Sequence, residues 1–166
     1  YVRAKLIPPP PRSAAPAPEP ERTVKVGTVL RSGGVAADRF LLSDQFLHKS
    51  LLLVLHELPS RVFVASVLNR PTVNLVQFHA ADRPRRCISF GGDGQLRGGG
   101  LDIDSNGLMW LSHDATFGGT PVGDSGIYRL PGSEAAALIR DGEASAADFL
   151  LSSGVVGFEE EELSRQ

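Results

Sequence analysis

Val62-Phe63-Val64-Ala65-Ser66-Val67-Leu68-Asn69-Arg70-Pro71-Thr72 is an apolar run that ends abruptly in a polar corner. Val62, Val64 and Leu68 share one parity and Phe63, Ala65 and Val67 the other. A strand here is therefore apolar on both faces, as a central strand covered by a layer on each side has to be. The run stops for a local reason. Pro71 has no N–H to give to a ladder, and it pushes the residue before it into extended geometry. Upstream, Leu51-Leu52-Leu53-Val54-Leu55 is a second two-faced run, and Leu58-Pro59-Ser60-Arg61 suits an antiparallel return between them. The two strands are expected to pair.

Around this hairpin the chain reads as one domain, residues 23–166, preceded by an arm, residues 1–22. The arm carries Pro8, Pro9, Pro10 and Pro11 in a row and then Pro16, Pro18 and Pro20. That composition favours extended polyproline II and cannot bury a core. Such an arm is ordered only where something holds it down, so it is expected to lie on a partner or on its own domain, with a free linker as the alternative. Residues 23–31 alternate as a strand, ended by Gly33-Gly34, and residues 35–42 suit either a short helix or a strand. Residues 74–86 read as loop-rich, and Cys87-Ile88-Ser89-Phe90 as a strand with the thiol packed inside. Residues 108–111 and 126–130 read as further strands, and 147–151 as another. Residues 131–142 give the clearest helix, with Ser133 as its cap, Glu134 at the positive end of the dipole and Gly142 as a left-handed stop. The run Glu159 to Glu162 suits the first turn of a last helix.

At 166 residues and 42% hydrophobic, the chain can bury one real core. A net charge of -2 gives no general reason to bind nucleic acid or an anionic membrane. The single Cys87 rules out an internal disulfide framework. No apolar run approaches the roughly 20 residues of a transmembrane helix. The chain opens on Tyr1 rather than Met, which is compatible with a start or targeting segment upstream.

Several motifs suggest chemistry, and each weakens on inspection. Asp102-x-Asp104-x-Asn106-Gly107 matches the first half of a calcium loop, but its twelfth position is His113 instead of a bidentate Glu. A hairpin turn accounts for it. Gly123-Asp124-Ser125-Gly126 looks like the segment around a chymotrypsin-type nucleophile, without that family's other surroundings, and reads as a turn into the next strand. The glycines of residues 91–100 fit neither a dinucleotide fingerprint nor a Walker loop. His48 and His56, if on one strand, lie about 26 Å apart at ~3.3 Å per residue and cannot share an ion. Arg83-Pro84-Arg85-Arg86 lacks the interleaved aromatics of a nucleic-acid site. No metal or cofactor is expected. Asn69 and Arg70 remain, either as pins of the corner or as members of a ligand pocket, because Pro71 offers Asn69 no local N–H and Arg70 carries a planar fork.

Leu68-Asn69-Arg70-Pro71 also resembles the L-N-R-P signature of the AlgH-like family of uncharacterised proteins. Gly27-Thr28-Val29-Leu30, Phe46 with Lys49-Ser50-Leu51, Gly91-Gly92, Ser133-Glu134-Ala135-Ala136, Asp148-Phe149 and Gly154-Val155-Val156-Gly157-Phe158 resemble other family segments in the same order. Asp93 and Phe158 depart from the proline and tryptophan of that pattern. The resemblance implies an α/β fold, a bent mixed or antiparallel sheet rolled into a partial barrel with flanking helices. It implies little about activity. The family includes bacterial members labelled transcriptional regulators and plastid members in plants and algae, and the spacing here looks closer to the plastid type.

The expectation is therefore a non-enzymatic protein-binding module, an accessory subunit docking on a larger assembly, in a chloroplast at a photosynthetic membrane. Its partners would be protein subunits, with no nucleic acid and no transmembrane segment of its own. The alternative is a small-ligand regulator or enzyme with a pocket near Asn69 and Arg70.

Overall fold

The computed structural model describes residues 24–31, 47–59, 61–95 and 100–159. The Pro-rich arm, the 35–42 segment and the tail from Glu160 lie outside them, as do the glycines at 33, 34, 98 and 99. The described residues form a mixed α/β structure, mostly strands, with two sheets and one α-helix.

The first sheet contains β1 (Val29–Arg31), β2 (Leu51–Glu57), β3 (Val62–Val67) and β10 (Val156–Glu159), in the order β1-β2-β3-β10. All its neighbours are antiparallel. β2 and β3 pair as a hairpin, with Leu52 opposite Val67 and Leu53 opposite Ser66. The turn is closed by the Leu58 N–H on the Val62 carbonyl at 2.9 Å and the Arg61 N–H on the Leu58 carbonyl at 3.0 Å. A bulge between Val54 and His56 lets Leu53, Leu55 and Val64 share one face. Leu52, Val54, Phe63, Ala65 and Val67 are buried on the other. β3 is the two-faced central strand that its composition requires.

The second sheet is built from β4 (Pro71–Gln77), β5 (Arg85–Phe90), β6 (Leu108–Ser112), β7 (Thr120–Pro121), β8 (Tyr128–Leu130) and β9 (Phe149–Ser153), in the order β4-β5-β9-β6-β8-β7. Only β5 and β9 run parallel. α1 (Gly132–Asp141) buries Ala135 and Ile139, one helical turn apart, against Trp110, Leu130, Phe149 and Leu151. The opposite face, with Met109 and Leu111, packs on Leu53, Leu55 and Val64 of the first sheet. The order is helix, sheet, sheet. Each fully buried Phe or Leu in these layers contributes about 1.5–3 kcal/mol.

The sheets meet at Gly91. Its N–H bonds the Ser153 carbonyl at 2.7 Å and its carbonyl accepts the Val67 N–H at 2.9 Å, so one residue joins β9 to β3. The buried Ser66 and Ser152 hydroxyls bond each other at 2.6 Å across the same gap. A Cβ on Gly91 would stand 2.3 Å from the Gly154 carbonyl oxygen and 2.4 Å from Ser152 Oγ. Only hydrogen fits there.

Several expectations change. Of the expected α/β fold, the described residues give a mixed structure of two sheets and one helix, with no closed barrel. Residues 74–86 are mixed: β4 runs to Gln77 and β5 starts at Arg85, and residues 78–84 form the loop between them. Pro71 opens β4 on the sheet edge, where a missing N–H is tolerated. Cys87 is exposed rather than packed, opposite Leu75 on the outer face of that edge. Ser133 does not cap α1; Pro131 holds the cap position without a side-chain bond, and Gly142 ends the helix at φ 77 as expected. Residues 146–148 form a 3-10 turn ahead of β9, with a capping box between Ser145 and Asp148. Glu159 ends β10 instead of starting a helix. His48 precedes β2, so it does not share a strand with His56.

Gly91→Ala is expected to lower the free energy of unfolding by about 2–3 kcal/mol. Urea denaturation would show it as a lower midpoint at unchanged slope, and an unchanged midpoint would mean the two sheets do not depend on this contact.

Candidate functional site

Two places bring polar side chains together. The first is the corner where the chain leaves β3 for β4 and so passes from one sheet to the other. Asn69 Oδ1 accepts the Leu51 N–H at 2.9 Å, and Asn69 Nδ2 donates to the Lys49 carbonyl at 3.0 Å. Lys49 sits at φ 54, a left-handed conformation that turns its carbonyl out of the strand path. Arg70 Nε donates to Ser50 Oγ at 3.3 Å, and Nη2 to the His48 carbonyl. The Arg70 carbonyl in turn accepts the Phe90 N–H at 2.7 Å. Both side chains thus grip the segment entering β2, through its backbone and the Ser50 hydroxyl.

The second place is a cavity of about 690 Å³ between the start of α1 and strands β4 and β6. Phe78, Trp110, Ile103 and Pro131 supply its apolar wall, and Asp102, Asp104 and Ser133 supply polar groups. Phe78 and Trp110 meet edge to face at 5.6 Å between ring centroids. Asp104 organises this corner. Its Oδ1 accepts the Asn106 N–H at 2.8 Å and the Leu108 N–H at 3.0 Å, and its Oδ2 accepts Trp110 Nε1–H at 3.0 Å. The first two bonds make the tight turn into β6, so the residues that mimic a calcium loop form a self-bonded turn. A Cβ on Gly132 would stand 2.8 Å from Asp104 Oδ2 and 2.7 Å from Trp110 Nε1. The carboxylate thus lies against the first turn of α1.

Asp102 is different. It holds φ 53, uncommon for any residue but glycine. Its Oδ2 is sealed from solvent without a hydrogen-bond partner among the described residues. Arg129, 7% exposed, donates through Nη1 to the Gly100 carbonyl at 2.7 Å, while its Nε has no partner among them. Burial pushes the Arg129 pKa down, and the charge on Asp102 opposes that shift. Asp102 thus lines the cavity and lies within electrostatic reach of a buried guanidinium.

The remaining sequence candidates do not join either place. Ser125 accepts the Ile127 N–H at 3.1 Å and donates to the Val122 carbonyl at 2.7 Å, as a turn residue does. Arg86 Nε is bonded to the Phe149 carbonyl at 2.7 Å, which ties β5 to the start of β9. Among the described residues no three His, Cys, Asp or Glu side chains cluster as metal ligands would. The cavity escaped sequence reasoning because its wall comes from β4, β6 and α1. A local signal existed in Asp104 and Trp110, six residues apart, but only the fold shows that they touch.

No protein-family model matches the sequence. No curated protein matches it either. Among solved structures the chain is similar to the solution structure of the AlgH protein from Pseudomonas aeruginosa, with a TM-score of 0.49 and 14% identity. That likeness covers 75% of this chain and 65% of the AlgH chain.

Asn69→Ala is expected to cost about 1 kcal/mol, because the Leu51 N–H it satisfies is near solvent. Asp104→Ala removes three acceptor contacts, one of them from a buried indole, and is expected to cost about 2–3 kcal/mol. Urea titrations measure both, and a larger loss for Asn69 than for Asp104 would contradict this ranking.

Proposed function

We propose that this chain is a non-enzymatic protein-binding module, an AlgH-like accessory subunit of the plastid type that docks on a larger assembly. The observation that carries this reading is β4. It is a seven-residue edge strand without a charged side chain, and it exposes Val73 at 95% and Leu75 at 53%. An uncharged edge with outward apolar side chains is what natural sheets avoid unless another chain covers it. An extended segment of a partner subunit, added beside β4, would satisfy the open backbone groups and cover both side chains. The Pro-rich arm, with Pro8 to Pro11, Pro16, Pro18 and Pro20, supplies a second contact in the same reading. Asn69 and Arg70 then act as pins that set the angle at which β4 leaves the first sheet.

Among the described residues no helix is long and apolar enough to cross a membrane. Contact with a photosynthetic membrane is assigned here to the partner subunits. Nucleic acid is not part of the reading, because the net charge is -2 and Arg86 is engaged by the Phe149 carbonyl.

The test is the native mass of the tagged protein in plastid extracts. The parent chain is expected to run in a complex far above its own 17.7 kDa. A Val73→Lys/Leu75→Lys variant and a variant lacking residues 1–21 are each expected to shift toward the free mass. Both sets of residues can be altered without touching the described core. A parent chain that runs free, or variants that run with the parent complex, would overturn the proposal.

A further inference from the structure

We propose that the partner segment that adds beside β4 carries a carboxylate for Arg85 and, two residues from it, an apolar side chain that packs on Leu75. This rests on the reading of β4 as the docking edge, and it names the chemistry and register of what docks there.

The edge is not uniform along its length. Pro71 stands opposite Ser89 and Leu75 opposite Cys87, so Thr72, Val73 and Asn74 together face Ile88 alone. The Thr72 hydroxyl fills the break that this bulge makes in the ladder. It donates to the Ile88 carbonyl at 2.8 Å and accepts the Asn74 N–H at 3.1 Å. Regular pairing resumes at Leu75 and continues to Gln77, opposite Arg85. Phe78 gives its N–H to the Pro84 carbonyl at 2.9 Å, and the antiparallel alternation then turns the N–H and C=O of Gln77 and Leu75 outward. The stretch ready to pair with another strand is therefore the half of β4 beside Arg85, with Val73 exposed at its border.

Charge selects the occupant. Arg85 and Cys87 alternate with Arg86 and so share the face of Leu75 and Gln77. Of the arginines in the second sheet, Arg86 bonds the Phe149 carbonyl and Arg129 the Gly100 carbonyl. Arg85 is exposed, and its guanidinium has no partner among the described residues. Asp148, just ahead of β9, is held by the Ser145 N–H at 2.8 Å, and Asp82 and Arg83, adjacent in the loop before β5, offset each other in charge. An added strand puts alternate side chains on the face of Leu75, and one opposite Gln77 lies two strands from Arg85, roughly 9–10 Å between α-carbons. An arginine and an acidic side chain span that distance, and the guanidinium fork matches a carboxylate. Two residues along, the same segment meets Leu75, whose exposed side chain gains from an apolar neighbour. A basic segment would be repelled by Arg85, and β4 of a second copy would bring it no carboxylate.

The experiment uses the tagged full chain in plastid extract, carrying Arg85→Lys, which keeps the charge and supplies an amine. A water-soluble carbodiimide then joins amines to the carboxylates they contact as amides. Mass spectrometry of the complex is expected to find position 85 joined to an aspartate or glutamate of a partner subunit, with an apolar residue two positions away in that segment. Arg85→Gln is expected to weaken association about three- to fivefold and to reduce its salt dependence, while Arg85→Lys without carbodiimide keeps most of it. A complex that forms with Arg85→Lys but yields no joint at position 85 would overturn the proposal and leave the reading of β4 standing. A joint to the run Glu159 to Glu162 of the chain itself would do the same, as would unchanged association of Arg85→Gln. A parent chain that runs free would overturn both the reading and this inference.

Discussion

The contact on which the structure depends is the crossing at Gly91, where Ser66 Oγ, Ser152 Oγ and the Gly154 carbonyl converge on a space that admits only a hydrogen atom. Two sheets with apolar inner faces can stack in many registers. A buried hydroxyl pair at 2.6 Å, with backbone bonds from Gly91 to both sheets, selects one of them. Buried polar groups are costly when displaced, so this junction penalises a slip that the apolar contacts alone would tolerate. Gly154, at φ 84 with its α-carbon against the Gly92 carbonyl, keeps the return from β9 to β10 equally close.

From that junction the positions of the outer parts follow. The corner after β3 has to deliver β4 to the far edge of the second sheet, and Asn69 and Arg70 fasten it to the segment that enters β2. On β4, Val73 and Leu75 point to solvent while Val76 packs toward the helical side. On that helical side a gap opens between β4, β6 and α1. Asp104 shapes the gap by holding the turn into β6, the indole of Trp110 and the approach of Gly132 in one place.

The sequence made the hairpin of β2 and β3 legible because both strands are apolar at both parities, a pattern that few other arrangements accommodate. Gly142 was legible as a helix stop because a left-handed residue is nearly a glycine requirement. β4 was harder to read. Its Thr72, Asn74 and Gln77 give it the polarity of a loop, and only pairing with β5 makes it a strand. Cys87 misled for a related reason, since an apolar neighbourhood in sequence became an outer face once Leu75 stood opposite it. Ser133 failed as a cap because Gly132, needed for close approach to Trp110 and Asp104, starts the helix one residue earlier. The candidate pair Asn69 and Arg70 could be named from the missing N–H of Pro71, but their partners at residues 48–51 lie about twenty positions away.

By itself, the sequence determined a mixed α/β class, a central two-faced hairpin, the stop of one helix and a polar corner, because periodicity, proline and glycine act over a few residues. Tertiary structure alone decided that the strands divide into two sheets and that, among the described residues, β4 becomes an open edge and Asp102 Oδ2 is buried without a donor. Those outcomes depend on which distant segments come to share a space, and local physical chemistry does not contain that information.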